Sequence, residues 1–429
     1  MMVALQVVGL VVLAGMLGVW LSRAVTVYSA KGRGPVLSRD SHFDRADQGL
    51  VSIIVPAKDE EANIGAALET LLAQDYPNIE IIVVDDRSTD GTAEVVRGVA
   101  AQHPAEARDG RVRLVQVKEL AAGWFGKPHA MHTGAREARG EWLLFVDADC
   151  RQAPHSVRVG VGFCAAEGGE MLSLWPVLEM RSFWENAVQP VAGSVLVAWF
   201  RPGWVNDPKH RAAFANGQYI LIRRSTYEAV GGYEAVRTKI VEDIAFARHV
   251  KGSGHRLLNA VGQDIFTTRM YDSLRAMWKG WTRIFYGAFE GVGRMVGVLF
   301  LTFFFTLAPF AVLAAATAAV AASTFAEATA DGSAFALWAS ADQSGAGGWW
   351  AWTVFGVSAG TVLAIFVTMR RLFIAGRGNP WYLALYPLAV ALVMAFEAGA
   401  LARALGFGAV TWRGTTYKGG RVISGKGTS

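Results

Sequence analysis

The chain has 429 residues, 52% of them hydrophobic and only 18% charged, where an average soluble domain has about a quarter charged. That deficit excludes an ordinary soluble protein. The formal charge of +5 gathers beside apolar runs, at Arg23, Lys31 and Arg33 and again at Arg370, Arg371 and Arg377, which suits the cytoplasmic face of a membrane and not a nucleic acid.

Met1 to Trp20 carries no charge and reaches roughly 20 residues, enough to span a bilayer. It lacks a preceding basic residue and a small-x-small cleavage site, so residues 1–22 are expected to be an uncleaved anchor and not a signal peptide. Most of the charge lies between Ser38 and Arg294, a stretch long enough for one large α/β domain. Its cysteines, Cys150 and Cys164, are the two in the whole chain and read as free thiols in a reducing compartment.

Val51 to Pro56 reads as a buried strand. Asp59 is expected to cap a helix from Glu60 to about Ala73, with Ile64, Leu68, Leu71 and Leu72 at helical spacing. Ile79 to Val84 is a second strand ending in Asp85-Asp86, and Asp90-Gly91 opens a helix through about Val99. Val112 to Val117 is a third strand, Lys127 to Arg139 a helix, and Trp142 to Val146 a fourth strand ending in Asp147-Ala148-Asp149. The alternation predicts an α/β fold with a parallel sheet and helices on both faces. Ligands in such folds sit at the carboxyl ends of the strands, which is where the acidic residues cluster.

Trp175 to Trp204 is rich in Trp, Phe and Val and fits either core or bilayer surface, with an interfacial helix expected near 183–204. In Tyr271 to Arg294, Met277, Trp278, Trp281, Ile284, Phe285 and Phe289 alternate with Arg275, Lys279 and Arg283. That pattern gives an amphipathic basic helix near 273–290, either interfacial or packed in the domain. Apolar runs near Val296–Ala322, Trp349–Met369 and Trp381–Leu401 predict about three C-terminal spans within 295–405, followed by a basic tail at 406–429. With the α/β domain inside, three spans put the tail outside. Yet its Arg413, Lys418, Arg421 and Lys426 favour the inside, and the connection from Glu327 to Gly347 lacks Lys and Arg. Either one late segment is re-entrant or the tail is an exception.

Asp147 and Asp149, one residue apart at a strand end, can both reach one Mg2+ or Mn2+ bridged to a diphosphate. Asp85 or Asp86 can accept hydrogen bonds from a nucleobase or ribose, while Asp90 fits turn chemistry. Lys127 is either a phosphate partner or a solvated helix-start lysine. Glu242-Asp243 is either a first-turn acidic pair on a helix dipole or a source of the general base that a sugar transfer needs. His129 and His132 lie one turn apart with no further ligand spaced to join them. Glu397, inside an apolar run, is either functional or near enough to a helix end to reach water.

Val51 to Glu61, Val84 to Thr92, Gly126-Lys127 with Ala130, Gly134 and Gly140, then Asp147-Ala148-Asp149 and Gly231-Gly232-Tyr233 followed by Glu242-Asp243 resemble the family 2 glycosyltransferases in order and spacing. The resemblance runs from about Val51 to Tyr286. It implies a GT-A fold and inversion at the anomeric carbon. It also implies a nucleotide pocket lined by Pro56, Ala57 and Glu60, nucleoside contact by Asp85 or Asp86, metal and diphosphate at Asp147 and Asp149, and Asp243 as base beside Glu242. Arg269-Met270-Tyr271, Gly280-Trp281-Thr282-Arg283 and the tail motif Trp412 to Tyr417 resemble the ceramide, hopanoid and carotenoid-type branch. There Arg269, Trp278, Trp281 and Arg283 would face the acceptor. Processive synthases of the family carry Gln-x-x-Arg-Trp, where this chain has Arg275-Ala276-Met277-Trp278-Lys279. The expectation is therefore a multi-pass enzyme of the cell membrane, in a bacterial inner membrane with its catalytic domain cytoplasmic. It would move one sugar from a UDP-linked donor to a lipid hydroxyl. A polysaccharide synthase, or a silent binder of nucleotide sugar or lipid, is the alternative.

Overall fold

The computed structural model describes all residues except 1, 30–33, 44–48, 104–110, 329–345, 408–409, 413–414, 419–420 and 426–429. After helix α1 (Met2–Tyr28) come β1 (Val36–Leu37), β2 (Val51–Ala57), α2 (Glu61–Leu72), β3 (Ile79–Asp86), α3 (Thr92–Gln102), β4 (Val112–Val117), α4 (Gly126–Glu137) and β5 (Trp142–Phe145). Then follow β6 (Cys150–Gln152), α5 (Ser156–Glu167), β7 (Met171–Trp175), β8 (Val177–Leu178), α6 (Phe183–Trp199), β9 (Ile220–Arg223), α7 (Glu242–Gly252), β10 (Leu257–Gly262), β11 (Phe266–Thr268) and α8 (Leu274–Ala288).

Eight strands form one sheet in the order β1-β10-β7-β9-β5-β2-β3-β4. Strands β5, β2, β3 and β4 are parallel, as expected. The sheet is not parallel throughout: β9 runs antiparallel to both β5 and β7. This four-residue strand returns from α6 and fills the gap between the two parallel halves, an orientation set by tertiary packing and not by its own residues. Alternation along the strands sorts the core. Ile54, Ile82, Leu143 and Phe145 face one layer, and Ile53, Ile81, Trp142 and Leu144 the other. Each such buried side chain contributes about 1.5–3 kcal/mol, so a one-residue slip in register would be prohibitive.

The second layer is covered by α2, α3 and α5. The first is covered by α4, α6, α7 and α8, and it continues without a break into the C-terminal helices. These are α9 (Val292–Thr302), a π-helical turn at Phe303–Leu307, α10 (Ala308–Ala328), α11 (Ala346–Ala375) and α12 (Tyr386–Ala404). Among the described residues four stretches are long and apolar enough to cross a membrane: Val3–Tyr28, Val292–Ser323, Trp349–Ala375 and Pro380–Ala404. Helices α1 and α10 pack on α11. The Trp20 indole donates to the Phe305 carbonyl at 2.7 Å, in the π-helical turn where the regular ladder is broken.

Helix α12 behaves differently. Before it, Arg377 bonds Asp264 of the α/β domain, and Tyr382 packs on Phe183 at 5.5 Å. Near its end, Phe396 packs on Trp278 of α8, also at 5.5 Å, and Gly399 lies against Thr282. Both ends therefore touch the α/β domain, and α12 lies along it instead of leading away. Glu397 is buried and accepts from Thr302 Oγ1 at 2.9 Å, so it does not reach water at a helix end. The tail contributes three strands, β12 (Val410–Trp412), β13 (Thr415–Lys418) and β14 (Arg421–Gly425), in an antiparallel sheet. The connection at 329–345, expected to lie outside, falls beyond the described residues.

One cap is corrected. Asp59 adopts φ +53° and does not cap α2; it accepts from the Thr89 amide at 2.8 Å, tying the loop after β2 to the loop after β3. The Glu61 amide instead donates to Asp90 at 3.1 Å, and Asp90 also accepts from Thr92, so Asp90 performs turn chemistry for both loops.

Candidate active site

Because β2, β3 and β5 run side by side in parallel, their carboxyl ends open on one edge. There lie Ala57, Asp85-Asp86 and, just past β5, Asp147-Ala148-Asp149. The first turn of α7 supplies Glu242 and Asp243. Lys127, in the first turn of α4, stands between the groups: Nζ is 2.8 Å from Asp147 Oδ1 and 2.9 Å from Glu242 Oε1. Burial works against the Lys127 charge, but Asp147, Glu242 and Asp243 outweigh it and raise its pKa. The lysine is thus a fixed cation, and the open choice about it closes in favour of an ion-paired one.

Asp243 accepts from the Gly217 amide at 2.8 Å and from its neighbour Ile244 at 2.7 Å. Burial, then the charge of Glu242, push its carboxyl up to about 6, against the opposing pull of Lys127 and these two amides. A carboxylate that titrates near neutrality, oriented by one backbone amide on each oxygen, is suited to accepting a proton.

A cavity of about 280 Å3 joins these groups, and Asp147, Asp149, Lys127, Glu242, Asp243 and Arg283 all line it. Six of the expected residues are thereby brought together. Gly217, Lys239 and Tyr271 line it too and were not among the expected site residues. Gly217 had a local signal, since Asn216-Gly217 is a turn dipeptide. A Cβ there would stand 3.1 Å from Lys127 Nζ and 3.2 Å from Asp243 Oδ2.

Pro56, Ala57, Glu60, Asp85 and Asp86 lie outside this cavity's lining but on the same sheet edge. Asp86 pairs with Arg87 through two bonds of 2.8 and 2.9 Å. Its carboxylate abuts Gly126, where a Cβ would meet Asp86 Oδ2 at 2.7 Å, so the β3 end adjoins the cavity through this glycine. Asp85 accepts from the Ser88 amide and from Gln116. Glu60 is buried and accepts from Asn63.

The residues expected to face the acceptor divide. Arg283 lines the cavity. Arg269 instead pairs with buried Glu185 at 2.8 Å, fastening the end of β11 to the capping box of α6. Trp278 points away to Phe396, and buried Trp281 packs against Tyr271 and Phe285. The rings of His129 and His132 pack on Trp124, as packed helix residues and not as a metal pair. Cys150 and Cys164 are both buried and form no disulfide.

Among the described residues no three His, Cys, Asp or Glu side chains converge as a complete metal cage. Asp147 and Asp149 still fit a hard divalent cation. They give carboxylate oxygens in a cavity that also holds Lys127, Lys239 and Arg283, a setting that leaves the remaining positions to diphosphate oxygens and water.

Residues 52–231 match the family profile described as Glycosyl transferase family 2. The 4,4'-diaponeurosporenoate glycosyltransferase of Staphylococcus aureus (strain USA300) is 27% identical over 281 residues, covering 62% of this chain and 70% of that relative. The solved mannosyltransferase PcManGT from Pyrobaculum calidifontis, in complex with GDP-Man and Mn2+, is 20% identical with a TM-score of 0.52, covering 94% of this chain and 99% of that one. That likeness bears on the fold.

Proposed function

We propose that this chain, a glycosyltransferase whose residues 52–231 form a family 2 domain on a GT-A fold, transfers one sugar from a UDP-linked donor to a membrane lipid with inversion. The observation that supports this most is the single cavity in which Asp243 stands with the Asp147/Asp149 pair around Lys127. Asp243 takes the proton of the acceptor hydroxyl as its oxygen forms a bond to the anomeric carbon, and the bond from that carbon to the diphosphate breaks on the opposite face. Glu242 holds Lys127 in place, and Arg283 faces the incoming acceptor. Asp147 and Asp149 would hold Mg2+ or Mn2+, which would supply positive charge to offset that of the departing diphosphate. Pro56, Ala57, Glu60, Asp85 and Asp86 hold the nucleoside. Lipid as acceptor is supported by α8, which lines the cavity through Arg283 and Ile284 and presents Trp278 to the apolar helix α12. The site thus opens beside the membrane helices, with the catalytic domain on the cytoplasmic face.

The test uses the purified chain in lipid with Mg2+ or Mn2+, a panel of labelled nucleotide sugars, and membrane lipids together with 4,4'-diaponeurosporenoate. Label is expected in the lipid phase, and Asp243→Asn is expected to reduce transfer by about 10²–10⁴-fold while donor binding persists. Label in an insoluble polymer would replace the reading with a processive synthase. Donor binding without transfer to any acceptor would favour a silent binder.

A further inference from the structure

A second cavity, of about 570 Å3, lies away from the catalytic one and shares no lining residue with it. Its walls come from α1, the C-terminal half of α6, α9 with the following π-helical turn, α11, and Tyr386 at the start of α12. The interior is largely apolar, with Val195, Val298, Leu301, Phe305 and Leu372 among its lining. Trp20 fixes one wall by its bond to the Phe305 carbonyl.

The charged side chains in this lining are two arginines, Arg23 and Arg201. Both line the same cavity, and so does Tyr386. Aromatic rings support each guanidinium, Trp20 at 5.7 Å for Arg23 and Trp204 at 4.3 Å for Arg201. Among the described residues no Asp or Glu lines this cavity. Two like charges held together beside an apolar cavity make a site for an anion with a hydrocarbon tail.

We propose that this cavity binds one anionic phospholipid, its phosphate between Arg23 and Arg201 and an acyl chain in the apolar interior. The inference rests on the membrane placement given above but not on the transfer reaction. Lipid bound here would hold α1, α6 and α11 together, at a distance from the sugar chemistry.

The full chain, purified in a neutral maltoside detergent, is titrated with dioctanoyl phosphatidylglycerol and with dioctanoyl phosphatidylcholine, and bound lipid is counted by native mass spectrometry. One phosphatidylglycerol is expected to bind about tenfold more tightly than phosphatidylcholine, and inorganic phosphate is not expected to displace it. Arg23→Gln with Arg201→Gln is expected to erase the preference while nucleotide-donor binding stays unchanged. Gly18 borders the cavity with open space around it, so Gly18→Leu is expected to weaken both lipids. If the double variant no longer binds donor, Arg201→Gln alone, at an exposed position, serves as the test. Equal affinity for the two lipids, a preference that survives these arginine changes, or displacement by the lipid acceptor would each overturn the proposal. Carbonate extraction of membranes reports the placement separately: a chain released by carbonate removes the premise, and a retained chain that shows no lipid preference refutes only the site.

Discussion

Gly217 tests the catalytic geometry more cleanly than any charged residue does. Its amide holds Asp243 Oδ2, and an added methyl group would press on both Lys127 Nζ and Asp243 Oδ2. Gly217→Ala is therefore expected to lower kcat about tenfold or more with little change in thermal midpoint, measured side by side on one preparation. Asp243 itself predicts a pH profile. Its carboxyl is raised to about 6 and its ionised form is the base, so transfer is present above that pH and falls as pH drops through it. A pH–rate profile of kcat/KM checks this, and a flat profile down to pH 5 would remove Asp243 from the role. At this scale the sequence was readable in part: the acidic pair past β5 and the one at the start of α7 line the cavity, while Asp85-Asp86 at the end of β3 lies beside it. The Gly217 contact was not readable, because a backbone amide 26 residues away from its partner leaves no residue-type signature.

At the scale of elements, Arg269 shows how a motif residue can take a structural task. Burial alone would raise the Glu185 carboxyl, but bonds from Arg269, Ser182 and Arg181 bring it down to about 2 from an ordinary 4.5. A depressed carboxyl stabilises the fold fully above the ordinary value and loses that contribution as pH falls through the lowered one. Arg269→Gln is expected to lower the thermal midpoint by several degrees at neutral pH and to blunt its dependence between about pH 4.5 and 2, with donor affinity retained. A variant that keeps its midpoint but loses acceptor turnover would return Arg269 to the acceptor side. The strands and helices around the nucleotide edge were legible from period-2 and helical spacing because local burial dictates both. Strand β9 was not. Four residues carry too short a pattern, and its antiparallel direction depends on β5 and β7, which are distant in sequence.

For the whole molecule, the conflict between three C-terminal spans and a basic tail has a geometric resolution in α12. A helix of 19 residues is long enough to cross a bilayer, and composition alone treats it as a span. A crossing helix, however, leaves the domain from which it departs, whereas this one meets catalytic-domain residues at both ends: Phe183 and Asp264 before it, Trp278 and Thr282 near its close. A count that leaves α12 out would keep three crossings, α1, the α9–α10 stretch and α11, and an odd number would place the N-terminus opposite the catalytic domain and the tail beside it. Lys418 and Arg421, on β13 and β14, thereby return to the side on which positive charge is favoured. A reporter fused after Ser429 is expected to share the side of the catalytic domain, and one inserted within 329–345 to lie opposite. In sealed vesicles, transfer should proceed when donor is added on the side of the tail and cease when donor is confined to the other. A tail reporter found opposite the active side would make α12 a true fourth span and leave the basic tail an exception to the charge rule.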